Sequence, residues 1–393
     1  MQKQSDTDRK PCYKMTLEEI KEKKVGELRP ATTDDLTSSI QTPRFVIHQS
    51  KPRLIDNLKA SRVNETTSCQ DTYIPDTVDR LLVQIRTLKS RLGDRKADIR
   101  AFAFDFKSAY KHIGIDESSQ IAANLLILEP KSKKPLVTKM LCQPFGSTLS
   151  PRNWGRVVET FKFLLAKIFG INTKYFVDDG FGAEPIETVF HALDTIIEFA
   201  KNLGFTLHPD KIVRPARKIT LLGAEIVIEE NKIVVKNPRE KARKIRTEIA
   251  KILQNKRLSP AQAASLRGRI GFSQTLMFGR LGRSRNCHLI QRQYSNVKSH
   301  LITANLKEEL LWWFKNIESL PHRQIKLVHE PNNVIYSDAS GEGGICLGTI
   351  VCKSDGHAPF PAYSGEAPAW LAQKNIFTLE ILASVIAIAQ LGA

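Results

Sequence analysis

Short runs of apolar residues alternate with longer helical stretches from Arg44 to about Val235. Runs of this kind are typical of buried strands. They occur at Phe45–Ile47, Ala101–Phe106, Lys174–Val177 and Ile219–Ile228. Strands mixed with helices in this way indicate a domain of the α+β class.

The pattern becomes helical between Lys236 and about Pro321. Apolar residues there recur at the spacing of one helix face, at Ala242, Ile245, Ile249 and Ile252. Such a stripe predicts a helix with one buried side. Ser259 followed by Pro260 is typical of a helix N-cap and first turn.

The two ends of the chain differ from this middle part. Residues 1–40 are polar and dense in charge, so they bury too little apolar surface to offset the entropy of ordering. They predict a mobile leader with at most one short helix. A third section begins near Leu327 with a strand pattern, and the apolar run Ile381–Ala389 predicts a buried helix.

The net charge of the chain indicates what kind of partner it binds. The 393 residues carry 59 Lys and Arg against 41 Asp and Glu, a net charge of +18. Residues 236–300 alone hold a net charge of +14. A basic run is often only a solvated face, but this much charge across several helices points to a polyanion, with nucleic acid as the first candidate. An acidic membrane surface is the alternative.

Composition excludes several other classes. Hydrophobic residues make up 41% of the chain and charged residues 25%, which is close to a soluble globular protein and excludes wholesale disorder. The six cysteines are scattered without zinc-ligand spacing, which favours reduced thiols. No signal peptide is evident and no apolar run reaches the roughly 18 residues that span a bilayer. We therefore expect an intracellular protein, in the cytoplasm or nucleus, with no membrane partner.

Three aspartates are the candidates for chemistry. Asp105 ends an apolar strand, with Tyr110 five residues later, although an Asp at such a place is often only a turn former or helix cap. Asp178 and Asp179 stand between two apolar runs and before Gly180. That pattern predicts a tight β-hairpin with paired carboxylates at its tip, although Asp-Gly is also a purely structural hairpin signal.

Taken together, these acids indicate a metal site. Adjacent carboxylates repel each other and are usually kept together when cations lie between them. Asp105, Asp178 and Asp179 could form a site of hard oxygen ligands. Carboxylates on neighbouring strands can hold two Mg²⁺ ions that activate a hydroxyl and bridge phosphate oxygens. This is the chemistry of nucleotide polymerisation.

The motifs around these residues resemble those of the reverse transcriptases of retroelements, from about Arg44 to the C-terminus. The segment FDFKSAY is similar to the family's first catalytic motif, which implies that Asp105 is a metal ligand and Tyr110 is the steric gate that rejects a ribose 2′-OH. The segment YFVDD matches the catalytic hairpin with Asp178 and Asp179. Val177, directly before the two aspartates, favours a reverse transcriptase over a viral RNA polymerase. Mg²⁺ is the implied cofactor, as two ions, with Mn²⁺ able to substitute.

Further motifs follow the order of the family. Segment QPFG, with Phe145 and Gly146, continues to SP and Trp154 and resembles the part that lies against the template and incoming nucleotide. Lys211, after LGF, resembles the lysine that assists pyrophosphate departure, and Leu222 with Gly223 resembles the hairpin that grips the primer.

In the fingers, Lys51 and Arg53 resemble the basic strand that meets the triphosphate, although the spacing from Arg53 to Asp56 is shorter than expected. A solvated strand is the alternative for both.

The last section resembles the opening of a ribonuclease H domain. Segment YSDAS supplies Asp338, and Glu380 lies in a helix pattern that matches the second carboxylate of that family. The family uses four acids, so with two acids we expect no ribonuclease H activity. The tail is loosely similar to retrotransposons of the DIRS and gypsy groups.

The resemblance implies a right-hand polymerase. Its parts are a mobile leader at 1–40, fingers and palm at 41–235, a basic helical thumb and connection at 236–325, and a partial ribonuclease H-like α/β segment at 326–393. The implied activity is RNA-directed DNA polymerisation on an RNA or DNA template with primer and dNTPs.

Three alternative functions stay open. One is a catalytically inactive nucleic-acid-binding remnant of a retroelement. Another is an RNA-dependent RNA polymerase, which Tyr110 and the Val-Asp-Asp hairpin disfavour. The third is a ribonuclease that acts through Asp338 and Glu380.

Overall fold

The computed structural model describes residues 6–48, 52–68, 71–93, 98–277, 281–296, 299–327, 333–340, 346–353, 363–366 and 376–391. The chain divides into two compact units, Met1–Leu327 and Val328–Ala393. Four cysteines whose side chains are described, Cys12, Cys142, Cys287 and Cys346, are free thiols.

The elements of both units follow one another along the chain. The helices are α1 (Asp6–Lys21), α2 (Thr33–Ser38), α3 (Val78–Leu92), α4 (Ser150–Phe169), α5 (Ile186–Asn202), α6 (Arg239–Asn255), α7 (Pro260–Thr275), α8 (Cys287–Gln293), α9 (Ala304–Asn316) and α10 (Ile376–Leu391). The strands are β1 (Arg29–Pro30), β2 (Gln41–Ile47), β3 (Arg53–Asp56), β4 (Ile99–Asp105), β5 (Asn124–Leu128), β6 (Pro135–Lys139), β7 (Thr173–Phe176), β8 (Asp179–Pro185), β9 (Val213–Ala216), β10 (Lys218–Leu221), β11 (Ala224–Ile228), β12 (Lys232–Lys236), β13 (Arg323–Lys326), β14 (Asn333–Ser340), β15 (Cys346–Lys353) and β16 (Tyr363–Glu366).

The N-terminal helix packs on a five-stranded sheet of order β1-β6-β5-β2-β3. The expectation of a mobile leader with at most one short helix is wrong for the residues that the structure describes, because α1 is 16 residues long and buries Cys12 and Thr16. Tyr13 and Met15 pack beside Cys12 against this sheet. A buried ion pair, Glu19 to Arg44 at 2.7 Å, adds a contact that an apolar pattern does not reveal.

The central sheet has the order β7-β8-β4-β9 with antiparallel pairs. Side chains of a strand alternate between the two faces of a sheet, and β4 is buried on both faces. Ala101 and Ala103 face the core that contains α3. Phe102 and Phe104 face an aromatic core built with α4 and α5. Burial on both sides fixes the register of β4, and with it the position of Asp105 at its end.

A third sheet of order β10-β11-β12-β13 adjoins this core. Strand β13 pairs with β12, with Lys326 opposite Lys232. Lys326 therefore belongs to the sheet of the first unit. That unit ends at Leu327.

Helices α6, α7, α8 and α9 share a separate core. The predicted stripe on α6 is confirmed, since Ala242, Ile245, Ile249 and Ile252 are all buried. The predicted start of α7 is also confirmed. Ser259 caps the helix with a capping box to Gln262, and Pro260 occupies the first turn. The basic block of residues 236–300 thus lies mainly on a helical subdomain.

The second unit is an antiparallel sheet β14-β15-β16 with α10 packed on β14 and β15. Leu379 and Ala383 are buried against the sheet. The helix predicted at Ile381–Ala389 is confirmed as part of α10, but the prediction that it is buried is only partly right, because Ile381 and Ile388 are 50% and 62% exposed. One face of α10 carries the contacts and the other carries the exposed residues. Among the described residues, no helix is both long and apolar enough to cross a membrane.

Candidate active site

Two neighbouring strands bring the three predicted carboxylates to one end of the central sheet. Asp105 is the last residue of β4 and lies directly opposite Asp179, the first residue of β8. The N–H of Phe106 donates to the carbonyl oxygen of Asp178 at 3.0 Å. Asp105 is buried, whereas Asp178 and Asp179 are half-buried and open to a ligand. The antiparallel pairing of β4 and β8 therefore assembles the trio.

The predicted hairpin is confirmed, but its turn lies earlier than the Asp-Gly signal suggests. Phe176 pairs with Asp179, which leaves Val177 and Asp178 as the two turn residues. Val177 has a φ of 58°, which is unusual for a β-branched residue. The indole N–H of Trp154 donates to the Val177 carbonyl at 2.8 Å and holds this turn in place.

Gly180 serves packing and not the turn. It lies in β8, where a Cβ atom would stand 2.3 Å from the ring of Phe104 and 2.9 Å from the ring of Tyr175. Contacts this short do not occur between real side chains, so residue 180 must lack a side chain. The close packing of Phe104 against Gly180 fixes the position of the β7–β8 hairpin relative to β4.

Lys211 reaches the acids from a short 3₁₀ helix, Pro209–Lys211. The backbone N–H of His208 donates to the carbonyl oxygen of Asp105 at 2.8 Å. This contact ties the segment to β4. The ammonium of Lys211 then lies 2.7 Å from Oδ1 of Asp105. The structure thus brings together all four residues that the sequence selects as catalytic.

The electrostatics of the site favour a cationic ligand. Burial, together with the charges of Asp178 and Asp105, raises the pKa of Asp179 to about 6. Burial first, and then the charge of Asp105, also raise the pKa of Asp178, while Lys211 and Arg53 act against the rise. Burial is the largest cause of each shift and the repulsion among the carboxylates adds to it, so a bound cation would favour their ionised forms.

Asp105, Asp178 and Asp179 supply the oxygen ligands that Mg²⁺ prefers. Within the described residues, no group of three or more His, Cys, Asp or Glu side chains converges closely enough to hold a metal ion. Lys211 instead supplies the positive charge at Asp105. The donor chemistry still fits a divalent cation, since the three carboxylates lie at one end of the sheet and their mutual repulsion adds to the effect of burial on the pKa values of Asp178 and Asp179.

Tyr110 and Phe145 form an aromatic pair beside the acids, with ring centroids 5.0 Å apart. Tyr110 is half-buried in the 3₁₀ helix Ala109–His112, and burial together with the charge of Asp178 raises the pKa of its hydroxyl. Gly146 has a φ of 120°, and a Cβ there would lie 2.2 Å from the carbonyl oxygen of Asp56. The Phe145–Gly146 loop is therefore fitted closely against the end of β3.

Arg53 begins β3 and is exposed. Its charge slightly opposes the rise in the pKa of Asp178. Lys51 lies outside the described residues.

The predicted primer grip is a two-residue turn between β10 and β11. Leu222 and Gly223 have φ values of 47° and 79°, and Leu221 pairs with Ala224. Lys241 of α6 donates from Nζ to the Gly223 carbonyl at 3.1 Å and lies over the Phe272 ring. The helical subdomain thus contacts the tip of the hairpin.

The two acids of the second unit are both exposed, Asp338 on β14 and Glu380 on α10. Ser337 contacts Ser384 of α10 at 2.8 Å, and Ala339 packs in the core with α10. Asp338 stands between them in the strand, so it lies on the opposite face of the sheet. The structure does not bring Asp338 and Glu380 together.

Some positioning residues carry no distinct sequence signal. Asp76 exchanges two hydrogen bonds with Tyr175, from its own N–H to the Tyr175 carbonyl at 2.8 Å and from the Tyr175 N–H to its carboxylate at 3.1 Å. Asp76 thereby covers the free edge of β7. Trp154 stands within a recognised motif, but only the structure shows its contact with the catalytic turn.

Comparison with known proteins identifies the family of this site. Residues 40–226 match the family model of the reverse transcriptase (RNA-dependent DNA polymerase). This part of the chain is similar to reverse transcriptase domains. No protein of curated function matches the chain.

Solved structures of foamy viral protease-reverse transcriptase have a similar fold. One in complex with double-stranded DNA is 16% identical with a TM-score of 0.61, and the match covers 99% of this chain and 62% of that one. Another, in complex with an RNA/DNA hybrid, is 15% identical with a TM-score of 0.58 and coverages of 97% and 46%. The chain spans less than two thirds of the length of these two relatives.

The similarity to these structures settles the fold but not every assignment. The predicted right-hand polymerase fold is confirmed. The resemblance to the DIRS and gypsy groups, the ribonuclease H-like segment and the domain boundaries stay predictions.

Proposed function

We propose that the chain is an RNA-directed DNA polymerase of a retroelement, which extends a primer 3′-OH with dNTPs. The observation that carries this proposal is the meeting of Asp105, Asp178 and Asp179 with Lys211 at one end of the central sheet of a reverse transcriptase domain. An acid trio with a lysine at its edge suits in-line phosphoryl transfer.

Each residue has a proposed part in the reaction. Asp105, Asp178 and Asp179 would hold Mg²⁺, as two ions, which supplies positive charge at the α-phosphate and at the leaving pyrophosphate. Lys211, whose Nζ lies against Asp105, would neutralise or protonate the leaving pyrophosphate. Arg53, exposed at the start of β3, and Lys51 would meet the triphosphate.

The pocket residues would orient the nucleotide. Tyr110 and Phe145, in contact with each other, would bound the sugar and base of the incoming dNTP. Gly146 lets this loop lie close against β3. Leu222 and Gly223 would hold the primer end, since their turn is connected to α6 through Lys241.

Extension of a labelled DNA primer on an RNA template, with Mg²⁺ and dNTPs, tests the proposal. The expected result is template-dependent growth of the primer that favours dNTPs over rNTPs. Tight binding of the template and primer without extension would support the inactive remnant instead. Preference for rNTPs would indicate an RNA-dependent RNA polymerase.

The nucleic acid is proposed to contact the basic thumb, residues 236–300. The solved relatives contain double-stranded DNA or an RNA/DNA hybrid, and Arg243 and Lys244 are exposed on α6. We expect binding of a duplex to weaken steeply with salt, because each neutralised phosphate releases counterions and contributes about −0.9 to the slope of log K against log salt concentration.

Single substitutions on α6 test which basic residues cause the salt dependence of binding. Arg243→Ala and Lys244→Ala should each reduce the magnitude of the slope by about 0.9 if each contacts one phosphate. Lys167→Ala, which removes an exposed lysine from the end of α4, is the control and should leave the slope unchanged. A flat salt response in the wild-type chain would mean that the basic thumb faces something else.

Tyr110 is predicted to exclude the ribose 2′-OH. Tyr110→Ala should raise the incorporation of ribonucleotides relative to deoxynucleotides by at least about tenfold, since one contact group in a pocket is typically worth that much discrimination. Primer extension with each nucleotide class measures the ratio. Tyr336→Ala removes an exposed tyrosine of the second unit and serves as the control. An unchanged ratio in Tyr110→Ala would leave Tyr110 as a core aromatic only.

We propose that the second unit is a partial ribonuclease H-like segment without nuclease activity. Its antiparallel sheet and helix α10 suit the opening part of such a domain. The separation of Asp338 and Glu380 by the sheet supports the absence of activity. We propose an intracellular location, in the cytoplasm or nucleus, because the proposed substrates, a nucleic-acid template and dNTPs, are found there.

A further inference from the structure

Four charged side chains form a cluster beside the proposed nucleotide pocket, named here the Glu19 cluster: Glu19, Arg44, Asp56 and Lys111. Three of them are buried, and the Glu19 side chain is 16% exposed. Glu19 of α1 contacts Nη1 of Arg44 at 2.7 Å and Nζ of Lys111 at 3.2 Å. Arg44 also binds both carboxylate oxygens of Asp56, at 2.6 and 3.2 Å. The Arg44 side chain is fully buried, and those of Lys111 and Asp56 are each 2% exposed. The cluster balances two cations with two anions.

Each end of the Glu19 cluster is attached to one wall of the nucleotide pocket. Lys111 follows Tyr110 in the same 3₁₀ helix. The N–H of Asp56 donates to the carbonyl oxygen of Phe145 at 3.1 Å, beside the close approach of Gly146. The rings of Tyr110 and Phe145 touch. A continuous chain of contacts therefore connects Tyr110 to Phe145 through the Glu19 cluster, in addition to the direct contact of the two rings.

Glu19 is the link between the two cations. Although burial opposes ionisation, the charges of Arg44 and Lys111 hold the pKa of Glu19 below its usual value. Removing one partner from a buried ion pair leaves an uncompensated charge, which is strongly unfavourable. Without the charge of Glu19, Arg44 and Lys111 would repel each other across a buried gap. Because each is attached to one wall, this repulsion would change the spacing of Tyr110 and Phe145.

We propose that Glu19 is a positioning residue for the nucleotide, through which helix α1 sets the distance between Tyr110 and Phe145. The inference rests on the proposed polymerase function. It extends the site to a helix outside the reverse transcriptase match at residues 40–226. A residue that spaces the two walls acts on nucleotide affinity and sugar discrimination, whereas Asp105, Asp178 and Asp179 act on the chemical step.

Kinetics of Glu19→Gln separate positioning from plain structural support. We expect the KM for dNTPs to rise about tenfold with kcat within about threefold, since a displacement of the walls weakens binding more than chemistry. Discrimination against ribonucleotides should fall several-fold because Tyr110 is displaced. A residue needed only for stability would lower the fraction of active protein and leave KM and discrimination unchanged. That result would overturn the proposal.

Two further variants keep the test decisive. Asp35→Asn removes another acid of the N-terminal segment, one that pairs with Arg29 at 2.6 Å away from the pocket, and should leave KM unchanged. If Glu19→Gln does not fold, Glu19→Gln/Lys111→Met restores the charge balance but still lacks the link from α1 to Lys111. A smaller rise in KM is expected, because the repulsion is gone but α1 still has no contact with the 3₁₀ helix that contains Tyr110. A wild-type KM in this folded double variant would refute the role of Glu19.

Hydrogen exchange gives a readout that does not depend on activity. Amides of residues 106–113 and 143–148 should exchange at least about tenfold faster in Glu19→Gln, because local opening becomes easier. Helix α5 should be unchanged. Faster exchange in a chain that extends no primer would support the link from Glu19 to Tyr110 and Phe145 and would refute only the polymerase proposal. Unchanged exchange and KM in an active chain would refute only the linkage.

Discussion

Asp178→Asn is expected to reduce primer extension on an RNA template by at least about 10³-fold. The charge of a bound metal ion stabilises the transition state by several kcal/mol, and each 1.36 kcal/mol of barrier changes the rate tenfold. Asn has the size of Asp but lacks the negative charge that would hold Mg²⁺. Asp178 is a turn residue whose backbone accepts the Phe106 hydrogen bond at 3.0 Å, and Asn preserves that contact. Single-turnover extension measures the loss, and a filter-binding or anisotropy assay should show unchanged affinity for the template and primer.

The same substitution should leave the fold intact or make it slightly more stable. Burial and the charge of Asp105 raise the pKa of Asp178, which means that the folded state disfavours the ionised carboxylate. Neutral Asn removes that cost. Asp194→Asn is the control, because Asp194 is an exposed acid on α5 in a solvated pair with Arg214 and such pairs contribute little. Extension by Asp178→Asn at the wild-type rate would refute the proposed active site.

The catalytic trio is predictable from sequence because its signals are local. Asp105 comes directly after a strand whose residues are apolar on both faces, and the structure buries Phe102 and Phe104 on one face and Ala101 and Ala103 on the other. Strand identity and register therefore follow from the residues themselves. Once β4 and β8 pair, Asp105 must meet Asp179.

The Glu19 cluster is not predictable in this way. Its members come from α1, β2, β3 and the 3₁₀ helix that contains Lys111, and their contacts depend on how these elements pack. Propensity and periodicity describe neighbours along the chain, whereas a buried ion pair depends on residues brought together by the fold. For the same reason the polar composition of residues 1–40 predicts mobility, although α1 is anchored by Cys12, Thr16 and Glu19.

The position of the catalytic turn shows a different limit. Asp179-Gly180 is a strong turn signal, yet the turn is formed by Val177 and Asp178. Val177 takes a left-handed conformation that sequence statistics disfavour, and the indole of Trp154 holds it there. A contact from a distant helix thus overrides the local preference.

Gly180→Ala is expected to destabilise the first unit by about 1 to 3 kcal/mol, the usual range for adding a carbon to a well-packed core. The new Cβ would stand 2.3 Å from the ring of Phe104. That ring cannot move aside, because it is 1% exposed and packs edge-on against Phe106 and Tyr175. The hairpin must shift instead and carry Asp178 and Asp179 with it. A displacement near 1 Å costs about 10²-fold in rate, so extension should fall by roughly that factor.

Gly268→Ala makes the same chemical change with the opposite expected sign. Gly268 lies inside α7, and a Cβ there would have no atom within 4 Å. Alanine is favoured over glycine in a helix by about 0.5 to 1 kcal/mol, so this variant should be more stable than the wild type in denaturant unfolding. Opposite shifts in the two variants would show that the fit of Phe104 against β8 positions the catalytic hairpin. If Gly180→Ala unfolded like the wild type and kept its activity, residue 180 would have no such role and the placement of Asp178 and Asp179 would depend on the turn alone.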